Sequence, residues 1–129
     1  MAIWKFDIVF LIVGAITGAY LRYRIGSDQI SLLGIPITIL VINVLGSFTL
    51  GLSMTTIQRF GLSQNYTLLL GIGFCGSFTT MSSFAYETAS LFDAGKLLIG
   101  FVDIVLNVGL SILAIIAGRA LVSILAGFL

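Results

Sequence analysis

Residues 73–84 read GFCGSFTTMSSF, and the interpretation of this stretch decides the fold. It sets two glycines and five hydroxyl side chains inside an otherwise apolar run. Glycine and clustered Ser and Thr weaken a helix, because hydroxyls bond nearby backbone in competition with the helical ladder. At membrane depth, non-helical backbone is tolerated only where protein or water satisfies it. A break there frees carbonyls that can ligate a cation, and N–H groups and hydroxyls that can meet an anion. The stretch therefore predicts a helix break at an ion site. A Gly/Ser packing kink is the plainer alternative.

The surrounding composition sets that break in a membrane. The 129 residues are 59% hydrophobic and 9% charged, with a mean hydropathy of +1.21. Soluble domains carry roughly 25% charged residues, so this chain cannot cover a water-facing surface. Crossing the bilayer core takes about 20 apolar residues, and four runs qualify: 6–25, 32–57, 66–92, and 97 to the C-terminus. Pro36 falls in the first turn of the second run, where proline is tolerated. The first run is too long for a signal peptide and shows no cleavage site. The linkers GSDQIS, QRFGLSQN and DAGK are short and carry turn residues. Continuous rather than alternating runs argue against a β-barrel. The expected fold class is an all-α integral membrane protein, one four-helix domain over residues 1–129, in the cell membrane.

Charge gives no orientation. With four spans, Lys5, Arg59 and Arg119 share one side, and Arg22, Arg24 and Lys96 the other. The positive-inside rule is thus tied, which points to insertion in both directions and head-to-tail pairing. Gly14 with Gly18, and Ala114 with Gly118, give the small-xxx-small spacing of close helix packing. Four short spans enclose little interior, so a homo-oligomer is the expected working unit. The net charge of +1 gives no reason for a nucleic-acid partner. Histidine is absent and Cys75 stands alone, so disulfides, the usual zinc sites and a serine with a histidine base are all missing. No enzymatic reading rises.

Polar residues inside spans are costly unless paired, and they usually face protein or a water-lined path. Asn43, Ser47 and Met54 share one face of the second span. Asp103, Asn107 and Ser111 share one face of the fourth, and Gly14, Gly18 and Arg22 one face of the first. Interhelical hydrogen bonding would explain each residue singly, whereas two stripes together with residues 73–84 favour a conduction path. Arg22 either snorkels to the headgroups or forms an electropositive vestibule. Asp103 lies near the start of its helix, where a carboxylate suits the macrodipole.

At this point the chain resembles the Fluc/CrcB family of fluoride channels. The resemblance rests on GAITGAYLRY (14–23), NVLGSFTLG (43–51), GFCGSFTTMSSFAYE (73–87) and NVGLS (107–111), in order and at the right spacing. It implies an antiparallel, dual-topology homodimer with two pores, each lined by both chains. It also implies a third helix broken near the membrane centre, where backbone carbonyls of Gly76 and Thr79 from each chain hold a structural Na+. By motif match the ion pathway takes Asn43, Met81, Ser82, Ser83, Phe84, Asn107 and Ser111. Arg22 and Glu87 belong to the vestibule or gating. Met81 stands where the family usually has the first of two pore phenylalanines, so one ring edge is missing. The implied function is passive export of toxic fluoride, with fluoride, membrane lipid and a second copy of the chain as partners.

Two rivals come from other classes. Small multidrug exporters also have four spans, but they use a glutamate embedded in the first helix, and this first span has only Asp7 at its edge. A non-transporting membrane scaffold would conduct nothing.

Overall fold

The structure is a computed structural model that describes residues 3–127, with side chains from residue 7 onward. The end of the fourth expected span, Phe128 and Leu129, and the side chain of Lys5 lie outside the described residues. Four helical spans run through it. The first is α1 (Ile3–Gly26) and the second is α2 (Ile37–Arg59). The third is composite. It opens as α3 (Gln64–Tyr66), widens into a π-helical stretch (Thr67–Cys75), narrows as α4 (Gly76–Phe78), and resumes after a break as α5 (Met81–Asp93). The fourth is α6 (Leu97–Ala126).

The second span starts later than expected. Residues 32–36 are not helical but form a small antiparallel hairpin, β1 (Ser31–Leu32) with β2 (Ile35–Pro36), so Pro36 precedes α2 instead of lying in its first turn. The two turn residues, Leu33 and Gly34, have φ of 54° and 85°, the left-handed pair that matches strand twist in two-residue hairpins. Thr38, in the first turn of α2, holds the approach to the hairpin. Its hydroxyl donates to the Asp28 carbonyl and accepts from the Ile30 N–H, both at 2.9 Å.

Glycines set the packing. A Cβ on Gly14 or Gly18 would run into the Leu69 or Phe74 carbonyl, so α1 lies directly on the π-helical stretch. A Cβ on Gly51 would run into the Ile115 carbonyl, and one on Gly118 into the Phe48 carbonyl, so α2 and α6 touch backbone to backbone. The small-xxx-small pairs are thus used within the chain, between α1 and the third span and between α6 and α2. Ile39, Ile42, Phe78 and Phe84 form a buried apolar cluster with Phe74 and Ile104 against it. Phe74 and Phe78 stack with centroids 5.5 Å apart. This cluster brackets the break in the third span from both sides.

Gly118→Val places branched carbons where the backbone of α2 stands. Thermal unfolding of the purified protein is expected to show a loss of about 3 kcal/mol or more.

Candidate ion pathway

The break in the third span is two residues long. Thr79 (φ −73°, ψ 157°) and Thr80 (φ −148°, ψ 111°) are both extended, so residues 73–84 contain a true break rather than a kink. The α4 side ends with Thr79, whose N–H and hydroxyl both donate to the Cys75 carbonyl, at 3.0 and 2.9 Å. In a continuous helix the Thr80 N–H would bond the Gly76 carbonyl. Here it turns to Asn43, donating to Oδ1 at 2.9 Å. The Asn43 Nδ2 returns a longer bond of 3.4 Å to the Thr80 carbonyl. One side-chain amide from α2 thus serves both backbone groups of Thr80.

The α5 side is capped by Thr80 itself, whose hydroxyl accepts from the Ser83 N–H at 3.2 Å. It also lies 3.1 Å from the Ser83 hydroxyl and 3.2 Å from that of Ser82. Thr is a favoured N-cap because its oxygen satisfies an otherwise free helical N–H. The positive end of the α5 dipole therefore sits at the break.

Two grooves lie beside it. The first, about 380 Å³, is lined by Asn43, Ser47, Gly76, Thr79, Thr80, Met81, Phe84, Asn107 and Ser111, together with apolar residues of α2, the third span and α6. The second, about 570 Å³, holds Arg22, Ser82, Ser83 and Glu87, with Gln29 and Tyr86. The expected site residues thus divide into two sets. Asn43, Met81, Phe84, Asn107, Ser111, Gly76 and Thr79 come together in the first groove. Ser82, Ser83, Arg22 and Glu87 gather in the second, on the other side of the α5 N-terminus. Phe84 is buried, whereas Met81 is 72% exposed at the open edge of the first groove. Met54, aligned with Asn43 and Ser47 in sequence, lines neither groove and packs towards Gly71. The Arg22 Nε is buried without a hydrogen-bond partner, the one such side-chain atom among the described residues.

Three residues acquire roles that the sequence reading did not give them. Thr80 caps α5 and offers its backbone to Asn43. Asp103 is the seventh residue of α6, past the first turn, and is fully buried, so it does not serve the helix dipole. Its partners are Asn107 and Thr88, at 2.9 and 2.7 Å. The Ser/Thr-cap pattern could have located Thr80. Only the fold joins Thr88 to Asp103. Among the described residues no three His, Cys, Asp or Glu side chains gather as a metal site.

Asn43→Leu removes both bonds to Thr80 and leaves a buried N–H unpaired. Thermal unfolding should record a loss of about 2 kcal/mol.

Comparison with known proteins bears on the family. The family profile of CrcB-like protein, Camphor Resistance (CrcB), matches residues 9–119. A protein of Nitrosopumilus maritimus named fluoride-specific ion channel FluC is 40% identical over 117 residues, covering 91% of this chain and 93% of its own. One of Methanosarcina acetivorans, named fluoride-specific ion channel FluC 1, is 39% identical over 126 residues, 96% of each. A Rhizobium etli protein of the same FluC name is 40% identical over 117 residues. The matched region reaches into all four spans and covers the lining of both grooves, and four apolar helices make this a multi-pass cell-membrane protein. With its profile match and relatives aligned nearly end to end, the chain belongs to the CrcB family.

Proposed function

We propose that this chain is a fluoride-specific channel that conducts the anion passively. The observation that carries the reading is the broken third span opening onto a groove of hydroxyl, amide and aromatic groups. The names of the relatives supply the ion. Fluoride is small and strongly hydrated, so a path must replace its shell while binding loosely enough to release it. The first groove offers Asn107, Ser111 and Phe84 with no Lys or Arg on its lining. A ring edge carries partial positive charge and can face an anion. A groove lined by no cationic side chain favours passage over capture. Arg22, with its unpartnered Nε, lies in the second groove, where a positive charge can draw anions towards the break.

The working unit in this reading is an antiparallel homodimer with two pores. The equal distribution of basic residues between the two sides supports insertion in both directions. The first groove is open along Met81, Val108 and Ile112, all exposed and apolar. A second copy laid across this edge closes the groove and covers the apolar surface.

A structural Na+ fits the break. The Thr80 N–H is diverted to Asn43, which releases the Gly76 carbonyl from its helical donor, and both Gly76 and Thr79 line the open groove. Carbonyls of Gly76 and Thr79 from each of two copies would hold the ion. The bound cation would supply a fixed positive charge joining the two breaks.

Passive export needs no energy source beyond the gradients. Fluoride that enters as neutral HF dissociates in a more alkaline cytoplasm, and the membrane potential then drives the anion out. Purified protein in liposomes, with a potassium ionophore present, is expected to release fluoride rapidly and chloride negligibly. Folded protein that releases no fluoride would overturn the reading in favour of a scaffold. Ser111→Ala removes a hydroxyl from the groove and is expected to slow fluoride efflux about tenfold, measured in the same liposomes.

A further inference from the structure

Asp103 lines neither groove, yet it is one of the most completely buried side chains in the molecule. Its place in the hydrogen bonding is directional. The Thr80 N–H is a backbone donor that cannot be reversed, so the Asn43 atom facing it at 2.9 Å must be the oxygen. Asn43 therefore presents Nδ2 to Asn107, whose Oδ1 accepts at 3.1 Å. Asn107 is then obliged to point its own Nδ2 the other way along α6. There Asp103 Oδ1 accepts at 2.9 Å, with the Asp103 carbonyl at 3.4 Å. The donors run one way: Thr80, Asn43, Asn107, ending on Asp103.

The other carboxyl oxygen closes a ring. Thr88 Oγ1 lies 2.7 Å from Asp103 Oδ2 and 2.9 Å from the Phe84 carbonyl, and Thr88 is on α5, the helix that begins at the break. Helices α2, α5 and α6 are thus tied to one another through Asp103 and the two amides.

We propose that Asp103 is a positioning residue. As terminal acceptor it secures from the far end the amide orientations that the Thr80 N–H sets through Asn43, and with them the geometry of the break. Without the carboxylate at 103, the Asn107 Nδ2 keeps only the longer bond of 3.4 Å to the residue-103 carbonyl, so the amide is held in its orientation from one end alone. Once Asn107 turns over, donor faces donor between the two asparagines. Asn43 must then turn as well, placing its Nδ2 against the Thr80 N–H. Each buried donor left facing another is costly, so loss of one remote acceptor is transmitted to the break.

The consequence for ion passage rests on the channel reading above; the geometry of the break does not. The test therefore reads both. Hydrogen exchange of the Thr80 amide is followed by NMR on protein in nanodiscs, and fluoride and chloride efflux on the same protein in liposomes. The Thr80 amide of the wild type is expected to exchange slowly. Asp103→Asn keeps an oxygen for Asn107 and offers an NH2 to the Thr88 hydroxyl, which can still donate to Phe84. Both readouts should stay within about threefold of wild type. Asp103→Leu should speed Thr80 exchange by about tenfold or more, slow fluoride efflux by about tenfold, and lower the fluoride-to-chloride ratio.

A Leu variant matching wild type would overturn the proposal, as would an Asn variant as impaired as the Leu one. So would a wild-type Thr80 amide exchanging like an exposed group, a result that needs no variant and holds even where Asp103→Leu does not fold. If the wild type passes no fluoride, the channel reading fails, and the exchange rates still decide the role of Asp103.

Discussion

A backbone N–H and C=O placed in hydrocarbon must find partners, and helical geometry is the usual way to supply them. This chain departs from that rule at Thr79 and Thr80, and the rest of the site depends on how the departure is made good. The Asn43 amide takes on the task for Thr80, and the Thr80 hydroxyl does the same for the first turn of α5. The break is therefore a second, defined arrangement of the backbone, with its own donors and acceptors. The groove exists because α4 and α5 are no longer one helix there.

Close approach of backbones is the second requirement. A break in one helix can be served by a short side chain such as Asn only if the neighbouring helix lies near. The Gly residues of α1, α2 and α6 provide this proximity, with carbonyls of one span resting where another would otherwise carry a Cβ. This also explains how a chain with so few charges holds its helices together. Bilayer lipid offers no hydrophobic gain for helix association, so packing and hydrogen bonds must supply it.

Much of this was legible in the sequence. Hydropathy located the spans, and the Gly- and hydroxyl-rich run 73–84 located the break, because both signals are local. The hairpin over residues 31–36 was missed because SLLGIP is apolar enough to be absorbed into a span, and Leu33 is an unusual residue for a left-handed turn position. The division of Ser82 and Ser83 from Met81 and Phe84 was also hidden, since residues adjacent in sequence leave a helix in different directions. Asp103 was misread for a different reason. Its position near a helix start suggested the dipole, while one of its two partners, Thr88, lies 15 residues away on another helix.

The order of residues along the chain has a consequence for synthesis. Asn43 precedes Thr80 by 37 residues, whereas Asn107 follows it. Chains are made from the N-terminus, and early segments can fold first. The amide that satisfies the break is thus already in the membrane when the third span emerges from the ribosome. Asn107 and Asp103 arrive only with the last span, after the break has found its first partner. Nascent chains cut short after α5 would hold the broken helix with the Asn43 amide in place and its orientation not yet fixed from the far side.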